Sequence, residues 1–105
     1  MASSRLEALK SLLNDNPNDS FIHYGIANEY YKLDQLEECI KEVELYLGLA
    51  DDEGAVYRML GNALLRLGRR DEAKRAFEQG IVAAERHKHP SMAEEFRETI
   101  ELEFE

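Results

Sequence analysis

The chain has 105 residues, a net charge of −9 and one cysteine, Cys39. That length is one domain with a modest core, and the lone cysteine excludes an intramolecular disulfide and fits a reducing, cytoplasmic setting. The acidic balance argues against nucleic-acid binding, which needs excess cations to neutralise phosphates, and against docking on an anionic membrane surface.

No apolar run reaches the ~20 residues of a membrane span. The start, MASSRLEALK, lacks the apolar stretch of a signal peptide. Charge is also unevenly spread. Residues 54–90 hold eight Lys/Arg against four Asp/Glu, while the remainder holds five against eighteen. The acids concentrate in the C-terminal EEFRETIELEFE.

Apolar residues recur at three- and four-residue spacing, the helix period, and six helices are predicted. The first, 3–14, carries Leu6, Leu9, Leu12 and Leu13. NDNPND then interrupts, because proline disfavours helix in the residue before it and Asn and Asp favour turns. Helix 20–33 follows with Ile22, Ile26, Tyr30 and Leu33, and helix 36–48 with Leu36, Ile40, Val43 and Leu47. ADDEG offers Asp51 or Asp52 as the N-cap of helix 54–67, whose stripe is Val56, Leu60, Ala63, Leu64 and Leu67. Helix 70–87 carries Ala73, Phe77 and Ile81. In HPSMAEE, Ser91 and Glu94 have capping-box spacing, which starts the last helix at 91 and runs it to 103 with Met92, Phe96 and Ile100. The short connections make sequential helices antiparallel neighbours.

A shift of 34 residues superimposes the sequence on itself. Ile26 falls on Leu60, Ala27 on Gly61, Tyr30 on Leu64, Cys39 on Ala73 and Val43 on Phe77. Asn28/Asn62, Leu33/Leu67, Glu38/Glu72 and Glu44/Glu78 are identical pairs. A fixed offset of that length, with two helices per unit, is the signature of a helical solenoid.

These residues resemble the tetratricopeptide repeat family. Its pattern is met by Tyr57, Leu60-Gly61, Leu64, Ala73 and Phe77, with Gly80 at a further small-residue position. The earlier unit is looser, with His23, Ile26-Ala27, Tyr30, Cys39 and Val43, and Tyr46 at the second small position. Pro17 matches the proline that closes a unit, whereas Asp51 and Glu85 stand where the two complete units would have theirs. The resemblance spans about residues 5–87. It implies an all-α, right-handed α-solenoid of antiparallel helix pairs within a single domain, 1–105. An N-terminal half-repeat helix would occupy 3–17, repeats 20–53 and 54–87, and a capping helix 91–103. A mid-helix glycine costs about 1 kcal/mol against alanine, so Gly61 and Gly80 are expected where helices approach closely. Gly68 is expected as a left-handed C-cap.

In repeat solenoids binding uses the extended concave surface, and the resemblance implies that the first helix of each unit lines it. Tyr24, Asn28, Tyr31 and Gln35 share one helix face; their equivalents are Arg58, Asn62, Leu65 and Arg69. An asparagine amide both donates to and accepts from a peptide backbone. One reading is a groove that clamps an extended peptide through Asn28 and Asn62. Tyr24 and Tyr31 would add apolar contact, and Arg58, Arg66 and Arg69 would attract carboxylates. The other reading is repeat ancestry on a solvated face. Some family members hold a partner's C-terminal carboxylate with a Lys, Asn and Arg set. This chain departs from that set, since Tyr24 replaces a basic residue, Met59 replaces an asparagine and a third full repeat is missing.

No nucleophile–base constellation, phosphate loop or metal motif stands in the sequence. The predicted partner is therefore another protein or peptide, with no catalysis, no cofactor and no metal. His87 and His89 lack further ligands nearby in sequence, Cys39 reads as a small buried residue, and His23 takes an aromatic core position. The last helix reads as a cap, with glutamates around its apolar stripe. Leu102 and Phe104 lie off that stripe, are expected to be exposed, and could form an oligomer contact. Self-association, through them or through the acidic helix docking on the basic stretch of a neighbour, is the alternative function.

Overall fold

The computed structural model describes residues 3–104. Its helices begin where a side chain, a proline or nearby acids answer the unpaired N–H groups of the first turn. α1 (Ser4–Asp15) is capped by Ser3, whose hydroxyl accepts from the Leu6 N–H, and α2 (Ser20–Lys32) by Asp19, which accepts from Phe21 and Ile22. α3 (Leu36–Leu49) and α5 (Arg70–Arg86) have no capping side chain. Each instead places two acids in its first turn, Glu37 and Glu38 in α3, Asp71 and Glu72 in α5. Negative charge there is favourable to the helix dipole.

α4 (Ala55–Arg66) is prepared from two residues upstream of its cap. The cap is Gly54 and not Asp51 or Asp52 as expected, because the buried carboxylate of Asp52 reaches the helix start from further back, accepting from the N–H groups of Gly54 at 2.8 Å and Val56 at 3.0 Å. α6 (Pro90–Glu103) departs from expectation. It begins at Pro90, which opens the helix because its ring presets φ and its missing N–H is not needed there. Ser91 consequently lies inside the helix and the expected capping box does not form.

The chain divides into two compact units, one running through Asp51 and the other from Asp52. In the first, α2 packs on both α1 and α3; in the second, α5 packs on both α4 and α6. Among the described residues there are six helices and no strand. The turns at the centre of each 34-residue span match. Asp34 and Gly68 both adopt positive φ, +61° and +77°. Glycine takes that conformation without strain, and Asp is one of the few other residues that tolerates it.

Burial follows the repeat. Ile26, Ala27, Cys39 and Val43 are buried in the first unit, and Leu60, Gly61, Ala73 and Phe77 at the equivalent places in the second. The mid-helix glycines are close approaches, as expected. A Cβ on Gly61 would lie 2.5 Å from Cζ of Phe77, and one on Gly80 would lie 2.8 Å from Cε2 of Phe96. Both rings rest on bare helix backbone. α1 is less deeply seated than its leucine stripe suggests. Leu6 is buried, Leu9 and Leu13 are half-buried, and Leu12 is exposed.

Candidate functional site

In the first unit the face predicted for binding lies on α2. Tyr24, Asn28 and Tyr31 are all half-buried along it. The Tyr24 ring meets the buried Tyr46 ring of α3 edge-on, with centroids 5.0 Å apart at 77°. Phe21 sits three residues before Tyr24 and is 86% exposed. It continues the same three- and four-residue spacing, so the signal that found the other three could have found it.

The back of α2 is fixed by buried polar groups, of which sequence reasoning placed His23 in the core and missed Glu29. Glu29, 5% exposed, takes a hydrogen bond from the Ser3 hydroxyl at 3.3 Å and ion pairs from Arg5 at 3.3 Å and Lys32 at 3.4 Å. His23 faces Glu42 of α3. These contacts orient α2 and leave its Phe21–Tyr31 face outward.

In the second unit the equivalent face lies on α4. Asn62 and Leu65 are half-buried, and Arg66 is exposed beside them. Arg58 already holds a carboxylate. Its Nε donates to Glu95 of α6 at 2.6 Å and its second nitrogen to the other Glu95 oxygen at 3.0 Å, while its guanidinium lies 5.7 Å from the Phe96 ring centre. Arg69 forks onto Glu72 at 2.9 and 2.7 Å, which holds the Glu72 carboxyl below its usual range. Thus Arg58 and Arg69, both assigned to a partner's acids, are engaged by the chain's own. Such exposed pairs contribute only about 0.2–1 kcal/mol, and an incoming carboxylate can exchange with them.

The C-terminal pair separates. Leu102 is 84% exposed, in line with its place off the α6 stripe. Phe104 is not exposed: beyond the end of α6 it is half-buried, its ring 6.3 Å from Phe77 and 5.0 Å from the Arg70 guanidinium, and Arg70 also donates to the Glu103 carbonyl. The helix period ceases to govern a residue past the last turn, which is why the stripe misplaced it. Arg97 likewise pairs within the unit, with Glu85 and Glu94.

Residues 54–87 match the family model described as tetratricopeptide repeat. That stretch is similar to a tetratricopeptide repeat. No curated protein and no solved structure matches it. The tetratricopeptide repeat comprises α4, α5 and the turn at Gly68, with Gly61, Ala73, Phe77 and Gly80 at its close contacts. Residues 20–53 repeat its order of elements and its positive-φ turn. Tetratricopeptide repeats mediate protein–protein interaction and are generally non-catalytic.

Two clefts of about 340 and 330 Å³ lie elsewhere, one at the α5–α6 turn around Lys88, His89 and Arg97, the other around Pro17, His23 and Leu45. Neither is lined by the tetratricopeptide-repeat stripe. Cys39 is buried and its thiol is pushed up to about 11 by desolvation, which keeps it protonated at neutral pH. Among the described residues no group of three His, Cys, Asp or Glu is placed to hold a metal ion. No helix among them is long and apolar enough to cross a membrane.

Proposed function

We propose that the chain is a non-catalytic interaction module that binds an extended peptide segment of a partner protein. Asn28 of the first unit and Asn62 of the second hold the peptide backbone. The observation that carries this reading is the pairing itself. The first helix of the tetratricopeptide repeat and the helix 34 residues earlier both present a half-buried asparagine at the same position. Asparagine is a mediocre helix former, and its amide can pair both donors and acceptors of a strand-like ligand. Around Asn28, Phe21, Tyr24 and Tyr31 supply aromatic contact. Around Asn62, Leu65 supplies apolar contact, while Arg58, Arg66 and Arg69 supply cations. The matching ligand carries both apolar and acidic side chains. Residence in the cytoplasm belongs to this reading, on the strength of the single reduced cysteine.

The test begins with selection of peptides from a random library on the intact chain. Asn28→Ala/Asn62→Ala should bind the selected peptide at least about tenfold more weakly by calorimetry, as expected for two lost hydrogen-bonding groups, with helicity by circular dichroism unchanged. Equal affinity of the double variant would contradict the proposal. The exposure of Leu102 favours a second reading, self-association through α6. It predicts a mass above the 12.1 kDa of one chain by light scattering, and reversal by Leu102→Glu.

A further inference from the structure

His23 stands where the tetratricopeptide repeat has Tyr57, 34 residues on, and only 5% of it is exposed. Its two ring nitrogens both face oxygen acceptors. Nδ1 lies 2.7 Å from Oε2 of Glu42, and Nε2 lies 2.8 Å from the carbonyl oxygen of Pro17. A neutral imidazole has one N–H, and its other nitrogen presents a lone pair. Either tautomer would therefore set a lone pair against an oxygen in a buried site, where an unmade hydrogen bond is costly. The imidazolium alone donates to both.

We propose that His23 is a buried cationic clamp that ties the α1–α2 turn to α3, and that loss of its proton releases the turn and loosens α1. The clamp joins three elements: Pro17 in the turn, His23 in the first turns of α2, and Glu42 in α3. Toward this end of α1 Leu12 is exposed and Leu13 only half-buried; the buried Leu6 and the tethers to Glu29 lie toward its N-terminus, and Leu9 on Gly25 and Lys10 over the Tyr30 ring lie at its middle.

The charged groups around the ring favour the proton. Asp19 at the start of α2 and Glu42 on α3 act directly on it, and Glu44 lines the cleft that the ring borders. From α1, Lys10 faces Glu42 and is the opposing cation. Burial by itself pulls His23 down. The hydrogen bonds to Glu42 and the Pro17 carbonyl, with the charges of Glu42 and Asp19, outweigh it and raise His23 above its ordinary 6.5. A raised folded-state midpoint fixes the direction: the stabilisation is complete below pH 6.5 and is lost as pH rises through that midpoint. α1 loosens on the alkaline side.

Imidazole nitrogen NMR on the full chain between pH 5.5 and 9.5, with amide protection factors from the same sample, tests this directly. The expected result is a doubly protonated His23 ring at pH 7 and a midpoint above 6.5. Protection in α1 and residues 15–19 should fall several-fold through that midpoint, while α4 and α5 hold theirs. Glu42→Gln should lower the midpoint by about one unit or more, and His23→Tyr, which keeps an aromatic ring, should remove the pH dependence of α1. A neutral His23 at pH 7, a midpoint at or below 6.5, protection that ignores the midpoint, or pH dependence surviving in His23→Tyr would each overturn the clamp. The wild-type titration decides even where a variant fails to fold.

Discussion

In the second unit Gly80 leaves bare backbone on α5, and the Phe96 ring of α6 lies against it, with the Arg58 guanidinium 5.7 Å from the ring centre. In the first unit the residue 34 positions earlier is Tyr46, which fills the place with its own ring and receives the edge of Tyr24. The two units thus obtain an aromatic contact at the same station by different routes. The difference reaches the flanking helices. α6 is joined to its unit by a large apolar side chain, since Phe96 is 1% exposed. α1 contributes the buried Leu6 and Leu9 against Gly25, is tied through Glu29 and by Lys10 over the Tyr30 ring, and is followed by a turn that His23 holds. Apolar burial grows with area, whereas a polar tether contributes about 0.5–1.5 kcal/mol net. Both units seat a flanking helix on bare helix backbone, Leu9 of α1 at Gly25 and Phe96 of α6 at Gly80, but the side chain seated in the second is larger and more deeply buried.

That contrast can be broken by four substitutions. Phe96→Ala should destabilise the chain by about 3–5 kcal/mol in urea unfolding, the usual cost of emptying a buried aromatic site. Gly61→Ala should destabilise by about 1–3 kcal/mol, because the added methyl meets the Phe77 ring at 2.5 Å and overpacking outweighs the roughly 1 kcal/mol gain in helix propensity. The reverse change in the first unit, Ala27→Gly, should cost about 1 kcal/mol from the same propensity scale. A stabilising Gly61→Ala would show that the close approach is not enforced. The most local effect is Ser3→Ala, about 0.5–2 kcal/mol for a lost N-cap, seen as faster amide exchange confined to α1. Greater loss from Ser3→Ala than from Phe96→Ala would invert the comparison.

Much of this was legible in the residues. Every helix boundary falls within one residue of its expected place, because caps, turn formers and the 3.6 period agree there. Gly61, Gly80 and Gly68 were identified by their cost in a helix or by their position just past one. The rest depended on pairings across sequence distance. That Arg58 meets Glu95, 37 residues away, follows from the register of α6 against α4, which no local pattern encodes. Phe104 lies beyond the reach of the helix period, and Pro90 outcompeted Ser91 for the helix start. His23 stood out as a histidine in an aromatic position, but its partner Glu42 emerged only once α2 and α3 were packed.

The central claim is that the outward faces of α2 and α4 are the binding faces. It is tested most directly by titrating the isotope-labelled chain with a library-selected peptide and following backbone amide shifts. The account predicts that perturbations concentrate at Phe21, Tyr24, Asn28 and Tyr31 on α2 and at Arg58, Asn62 and Leu65 on α4. Perturbations gathered instead on α5 or on the outer side of α6 around Leu102 would contradict it.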